Sequence, residues 1–466
     1  MRRSFKYPRK TSLRLSLECL EARDVPAGNI TASLVGHTLR LFGDAVDNNI
    51  VIRGDGPGIV EMQGVNTQVN GGNGKLTFSG VQSLWVDAAD GNDTVRTKSL
   101  KLTDLTILGG QGDDIILVAD TVANDVLGMY FSGDESSFAP ASVNGNDTIL
   151  VSGTRVHGNY LFLYVIPDEA LDIGGHDVVT LSDTSMLAGD QDFEFIKWVD
   201  LEILDYLPAF DPGDAITVDH FNLSSTGVES DLFFEIYGGN GPDTIRLSNI
   251  AMEFNSSYGN YLDFTAIGNL NTFGGEGDSV TCENMNISAT APKGTDFAFN
   301  QLSTAFYSDS LSLRNVTTQA GTVDADGYCN PNFMTIASQN AELRNVAVTS
   351  NDGCAEINLY SLQAIGAPTT GASSFRLANV SVRGSTETLA HPSAIYFYGS
   401  DEVDDVTIVN CSAEYLTVDL GGGDDQLTMI NNDIISALLM GGDGNDRLTL
   451  RNNHGALDYF DFESLV

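Results

Sequence analysis

A seven-residue word recurs along this chain: Asp, any residue, apolar, any, apolar, any, Asn. It reads DTIRLSN at 243–249, DSVTCEN at 278–284, DSLSLRN at 309–315, DDVTIVN at 404–410, DQLTMIN at 425–431 and DRLTLRN at 446–452. Looser copies start at Asp93, Asp114, Asp147, Asp177 and Asp214. Two more, QNAELRN and SSFRLAN, open on Gln339 and Ser373. Successive starts lie 21 to 37 residues apart.

The apolar residues of the word alternate, and a strand has a side-chain period of two. Pairs such as Ile245/Leu247, Val280/Cys282, Leu311/Leu313 and Leu448/Leu450 therefore face one side. A unit of this size with one such strand cannot bury its own face, whereas stacked units can. Equivalent strands then pair in parallel ~4.8 Å apart, and parallel crossovers favour the right hand. The expected fold is all-β: a right-handed parallel β-helix, or β-solenoid, of about thirteen coils. The closing Asn shares the inward parity, so Asn249, Asn284, Asn315, Asn345, Asn379, Asn410, Asn431 and Asn452 are expected to form an internal amide ladder. A second apolar strand precedes many words, as at 357–360 and 394–397.

The chain has 466 residues and a net charge of −40. Seven of its 23 basic residues but only two of its 63 acidic ones fall within residues 1–23. That leaves 16 and 61 in the remainder. Such a body repels nucleic acid and anionic lipid and attracts cations. No run of 18 apolar residues occurs, so no transmembrane helix is expected. Three regions follow: an N-terminal export segment at 1–27, an irregular β cap at 28–80, and the solenoid at 81–466.

Within the first region, the stretch Leu17-Glu18-Cys19-Leu20-Glu21-Ala22-Arg23-Asp24-Val25-Pro26-Ala27 resembles the LExLExRxxPA segment of planctomycete surface and secreted proteins. The resemblance implies export, to the cell surface or beyond it.

Glycines cluster just before several words. GGQGDD (109–114), GGNGPD (238–243) and GGDGND (441–446) fit GGxGxD, and 89–93, 144–147, 174–177 and 421–425 are partial copies. These turns resemble the calcium-binding RTX nonapeptide GGxGxDxUx, where U is apolar. That family implies secreted β-rolls with calcium between stacked turns. The residue types suit the ion: calcium takes 6–8 hard oxygen ligands, and glycine permits the left-handed backbone that turns carbonyls inward. The chain departs from the family by lacking tandem nine-residue spacing. Turns one coil apart become neighbours in a stack, and the 21-residue steps are the shortest. The expected ligands are therefore Asp90, Asn92 and Asp93 with Asp113 and Asp114, and Asp424 and Asp425 with Asp443, Asn445 and Asp446. Asp243 is a further candidate. Copies 309–373 lack the glycines and are expected to be metal-poor.

No catalytic arrangement stands out. The acid pairs Asp113/Asp114, Asp404/Asp405 and Asp424/Asp425 each include the Asp that opens a word, which favours a structural role. His176 and His220 read as variants of the repeat. Tyr360, Tyr396 and Tyr398 occupy outward slots in neighbouring coils, a candidate glycan contact. Cys329 and Cys354 sit in loops of adjacent coils, a candidate disulfide, while Cys282 has core parity. Phe462–Val466 resembles Val81–Trp85, so the sequence ends partway into another coil. The expected role is that of an exported, calcium-stabilised solenoid serving structure, adhesion or matrix contact. Its partners would be calcium and extracellular polysaccharide or surface proteins. The alternative is a polysaccharide-binding or polysaccharide-degrading β-helix protein.

Overall fold

The computed structural model describes residues 28–124, 128–133, 145–158, 160–166, 175–188, 196–204, 213–238, 241–267, 277–291, 299–322, 331–351, 353–362, 372–384 and 393–466. The export segment at 1–27 and Cys329, with the disulfide expected of it, lie outside these residues.

The words stack as parallel strands in one register. Ile245 lies beside Val280, then Leu311, Ala341, Phe375, Val406, Leu427 and Leu448, one per coil. All of these are buried. The strand before each word forms a second parallel face. There Phe264, Thr304, Met334, Ile357, Ile395, Leu416 and Ala437 follow one another in register. The strand after each word forms a third, in which Leu223, Met252, Ile287, Thr318, Val348 and Val382 align, and the three faces enclose one core that runs from Ile30 to Leu448. Aromatic residues fill its wide middle. Phe234 stacks on Phe264 with ring centroids 4.7 Å apart, and Phe306 follows at 5.7 Å. The chain is a parallel β-solenoid. No helix among the described residues is long and apolar enough to cross a membrane.

The region 28–80 differs in kind. Asn29–Val35 pairs antiparallel with Thr38–Phe42, and Asn49–Gly54 pairs antiparallel with Ile59–Gly64. Yet Thr38–Phe42 also aligns in parallel with Ser83–Asp87, and Asn49–Gly54 with Thr94–Lys98. The hairpins thus cover the first open edge and hand its register to the coils, removing the exposed ladder that invites foreign strands.

The asparagines form the expected column, but on the outside. Each amide Nδ2 donates to the Oδ1 one coil back, from Asn284 to Asn249 through Asn452 to Asn431, at 2.9–3.4 Å. Most of these side chains are exposed. The correction has a backbone cause. Every one of the eight Asn has φ between 51° and 57°. A left-handed residue breaks the period of two, so parity counted from the strand fails at the bend. The next residue turns inward instead: Ile250, Met285, Val316, Val346, Val380 and Cys411 are buried. Asn tolerates this conformation better than other non-glycine residues. His220, with φ of 53°, holds the same slot.

The end of the chain also differs from the expectation. Ser464–Leu465 aligns with Arg447–Leu448, in the word column, whereas Ser83–Leu84 belongs to the preceding face. Glu463 accounts for this. Its longer side chain reaches the Asp position, where its Oε2 accepts the Asp446 N–H at 2.7 Å.

Candidate cation site

The Asp that opens each word points into the rod. Asp93, Asp114, Asp147, Asp177, Asp214, Asp243, Asp278, Asp309, Asp404, Asp425 and Asp446 are all buried. They form a second ladder. The backbone N–H of Asp93 donates to Oδ1 of Asp114 at 2.6 Å, that of Asp114 to Asp147 at 2.7 Å, and that of Asp147 to Asp177 at 2.6 Å. The pattern continues through Asp214 and Asp243 to Asp278. It resumes from Asp404 to Asp425 at 2.7 Å and from Asp425 to Asp446 at 2.9 Å. Asn48 heads the column, donating its N–H to Asp93. Gln339 and Ser373 hold the intervening slots, and the Ser373 hydroxyl donates to Asp404.

One oxygen of each carboxylate thus accepts from the coil before it, and the second oxygen of Asp404 accepts the Ser400 N–H at 2.8 Å within its own turn. Oδ2 of Asp93, Asp114, Asp425 and Asp446 is buried without a hydrogen-bond partner. Burying an ionised oxygen in this way is costly unless a proton or a cation meets it. Burial accordingly pushes Asp114 up to about 10, with the neighbouring carboxylate of Asp147 adding to the effect. Burial raises Asp93 to about 8 and Asp425 to about 7, each partly offset by the backbone N–H it accepts. Asp404 and Asp446 are raised for the same reason.

The first glycine of the motif makes room for this carboxylate. A Cβ on Gly109 would lie 2.4 Å from Oδ2 of Asp114, and one on Gly441 2.9 Å from Oδ2 of Asp446. The fourth position serves the stack: Gly444 has φ of +153°, and a Cβ there would lie 1.5 Å from the carbonyl oxygen of Gly423 one coil below.

Towards both ends, the residue before the inner Asp builds a separate, exposed ladder with the opposite direction. Asn92 donates its N–H to Oδ1 of Asp47, Asp113 to Asn92, Asn146 to Asp113, and His176 to Asn146, at 2.9–3.2 Å. Asn445 donates likewise to Asp424 at 3.0 Å. The N–H groups of Asn146 hold the Asp113 carboxyl below the usual range.

The expected ligands therefore divide. Asp93, Asp114, Asp243, Asp425 and Asp446 belong to the buried column. Asn92, Asp113, Asp424 and Asn445 belong to the exposed one, and Asp90 and Asp443 are exposed in the turns. Among the described residues no three His, Cys, Asp or Glu side chains converge on one point. A cation between Asp93 and Asp114, or between Asp425 and Asp446, would take one free carboxylate oxygen from each coil. Backbone carbonyls or water would complete its shell. The unmet buried oxygens and the glycine-lined turn fit a hard cation. Asp147, Asp177, Asp214, Asp278, Asp309 and Asp404, which the motif reading passed over, share the column. Their signal was present in the sequence: each has the parity of the inward apolar residues that follow it.

The other expectations are placed as follows. Tyr360 stacks on Tyr398 with centroids 5.1 Å apart and planes 12° from parallel, and Tyr396 lies 6.4 Å from Tyr398 at 13°. The three rings do come together. Cys282, Cys354 and Cys411 are buried.

No known protein family, no curated protein and no solved structure matches this chain.

Proposed function

We propose that this chain is an exported β-solenoid that takes up calcium along its buried Asp column and serves as a stiff element of structure, adhesion or matrix contact at the cell surface. The observation that carries the calcium reading is the set of unmet oxygens: Oδ2 of Asp93 and Asp114 near one end, and of Asp425 and Asp446 near the other. The GGxGxD likeness supports calcium over other cations, since an all-oxygen shell suits it. The N-terminal LExLExRxxPA likeness supports export, where calcium is plentiful. The chemistry the ion would supply is charge neutralisation within the rod.

A ligand of the native state raises its stability by mass action. Thermal unfolding is therefore expected to shift upward in millimolar calcium relative to chelator. An identical melting temperature in both would reject calcium as a structural ligand.

A further inference from the structure

The outward side of the face that precedes the words carries a second constellation. It spans six adjacent strands, Asn222–Tyr237, Thr244–Ile267, Phe299–Thr322, Asn332–Ser350, Ala355–Ser361 and Ser393–Ser400. Five steps between them make a strip of roughly 24 Å. At one end Asp231 lies beside Tyr261 in register, with Asp263 two residues further on. The Phe233 ring packs 5.9 Å from Tyr261. At the other end Glu356 lies four residues before Tyr360 on the same side of its strand, and Tyr360 stacks on Tyr398. Between the ends the outward slots hold Gln301, Ser303, Ala305 and Tyr307 on one strand and Phe333 and Thr335 on the next. Rings and carboxylates thus stand at both ends, with two further half-buried rings, Tyr307 and Phe333, between them.

The chemistry of the strip narrows its ligand. Asp231, Asp263 and Glu356 are half-buried, and burial raises all three. None belongs to any of the described ion pairs. Partly desolvated carboxylates of this kind gain most from O–H or N–H donors. An aromatic ring offers a large apolar surface with a negative face, which suits polarised C–H groups. A ligand that presents hydroxyl groups on its rim and C–H groups on its faces meets both demands. Acidic groups on that ligand would meet these carboxylates on a chain of net charge −40, and like charges repel.

We propose that this strip binds a saccharide chain that carries no acidic groups, laid along the rod axis. The proposal gives matrix contact a ligand class and rests on the exported setting of that reading, but not on calcium.

The test is isothermal titration of the full chain in calcium and, separately, in chelator. The probes are hexamers of glucose, mannose, xylose, N-acetylglucosamine and glucosamine, with hexagalacturonate as the acidic arm. The neutral and amino hexamers distinguish hydroxyl from ammonium recognition. Saturable binding of at least one acid-free hexamer is expected, at least tenfold tighter than hexagalacturonate. Tyr398 is 36% exposed and stacks on Tyr360, so Tyr398→Ala should lower the melting temperature modestly and, assayed well below that temperature, weaken binding at least tenfold. Asp263→Asn keeps the shape and is expected to weaken it severalfold. Absence of binding by every acid-free hexamer would overturn the proposal. So would equal affinity for hexagalacturonate, or affinity unmoved by both substitutions. A calcium-independent melt alongside saccharide binding would reject the calcium reading and leave this one standing.

Discussion

The backbone N–H of Asp93 donates to the carboxylate of Asp114, 2.6 Å away and 21 residues later in the sequence. That bond orients one oxygen of Asp114 along the stack and leaves the other facing the glycine side of its own turn. Replacing the acid by its amide keeps the oriented acceptor and removes the cost of holding a proton there at a pH where the unfolded chain has lost it. Asp114→Asn is therefore expected to melt at least as high as wild type in chelator at pH 8. It should lose a measurable part of the calcium-induced shift. A variant destabilised in chelator with its calcium shift intact would contradict this division of labour.

The column also sets a pH dependence. Asp425, Asp93 and Asp114 are raised from 3.8 to about 7, 8 and 10 in the folded state. Between the unfolded and folded values the native state holds more protons than the unfolded chain, so its stability falls as pH rises. In chelator the melting temperature is expected to be higher at pH 5 than at pH 8. Asp113 and Asp219 are lowered instead, by hydrogen bonds from Asn146 and Ser248 first. Their contribution is lost only below the ordinary carboxylate range, outside that window. A melt that rises steadily from pH 5 to pH 8 in chelator would show that the column does not dominate.

The outer amide ladder can be separated from its backbone strain at Asn345. Its Nδ2 donates to Asn315 at 2.9 Å, its Oδ1 accepts from Asn379 at 3.0 Å, and its φ is 55°. Asn345→Ala loses both bonds and keeps an unfavourable left-handed backbone. A cost of about 1–3 kcal/mol is expected. Asn345→Gly loses the bonds but relieves the backbone and should cost less. Denaturant midpoints of the two variants decide the matter, and equal midpoints would remove strain from the account.

Gly109 tests the need for space. A Cβ there would meet the carbonyl oxygen of Gly133 at 2.3 Å and Oδ2 of Asp114 at 2.4 Å. Overpacking of this kind costs about 1–3 kcal/mol. Gly109→Ala is expected to lower the melting temperature and to weaken calcium uptake, read by calorimetry. An alanine tolerated without either effect would mean that the turn can relax around it.

Much of this architecture was legible because the repeat fixes which residues meet. The register of Ile245 with Val280 and Leu311 follows directly from aligning the words. The face of the Asn column did not follow, because a period-two count assumes an extended backbone through Asn249, and φ there is positive. The apolar residue after each Asn was the available signal, since strict alternation would have exposed Ile250 or Val316. The Asp column was half legible. Parity placed Asp243 with Ile245 and Leu247, but the turn motif drew attention to the exposed neighbours. Of the aromatic and acidic strip, Tyr360, Tyr396 and Tyr398 were legible from their matching slots, but Asp231, Tyr261 and Glu356 were not, because they come from strands separated by irregular intervals. Only the observed pairing brings them onto one face.

The interruption at Gln339 and Ser373 divides the rod electrically. Asp309 and Asp404 are three steps apart, roughly 14 Å, with no carboxylate in the slots between them. A charge at Asp309 and one at Asp404 interact by only about 1 kcal/mol at that distance, far less than neighbours one step apart. Two weakly coupled carboxylate series, one long and one short, share a continuous hydrocarbon sheath. Loading one would stiffen its own coils and leave the neutral joint as the weakest place to bend.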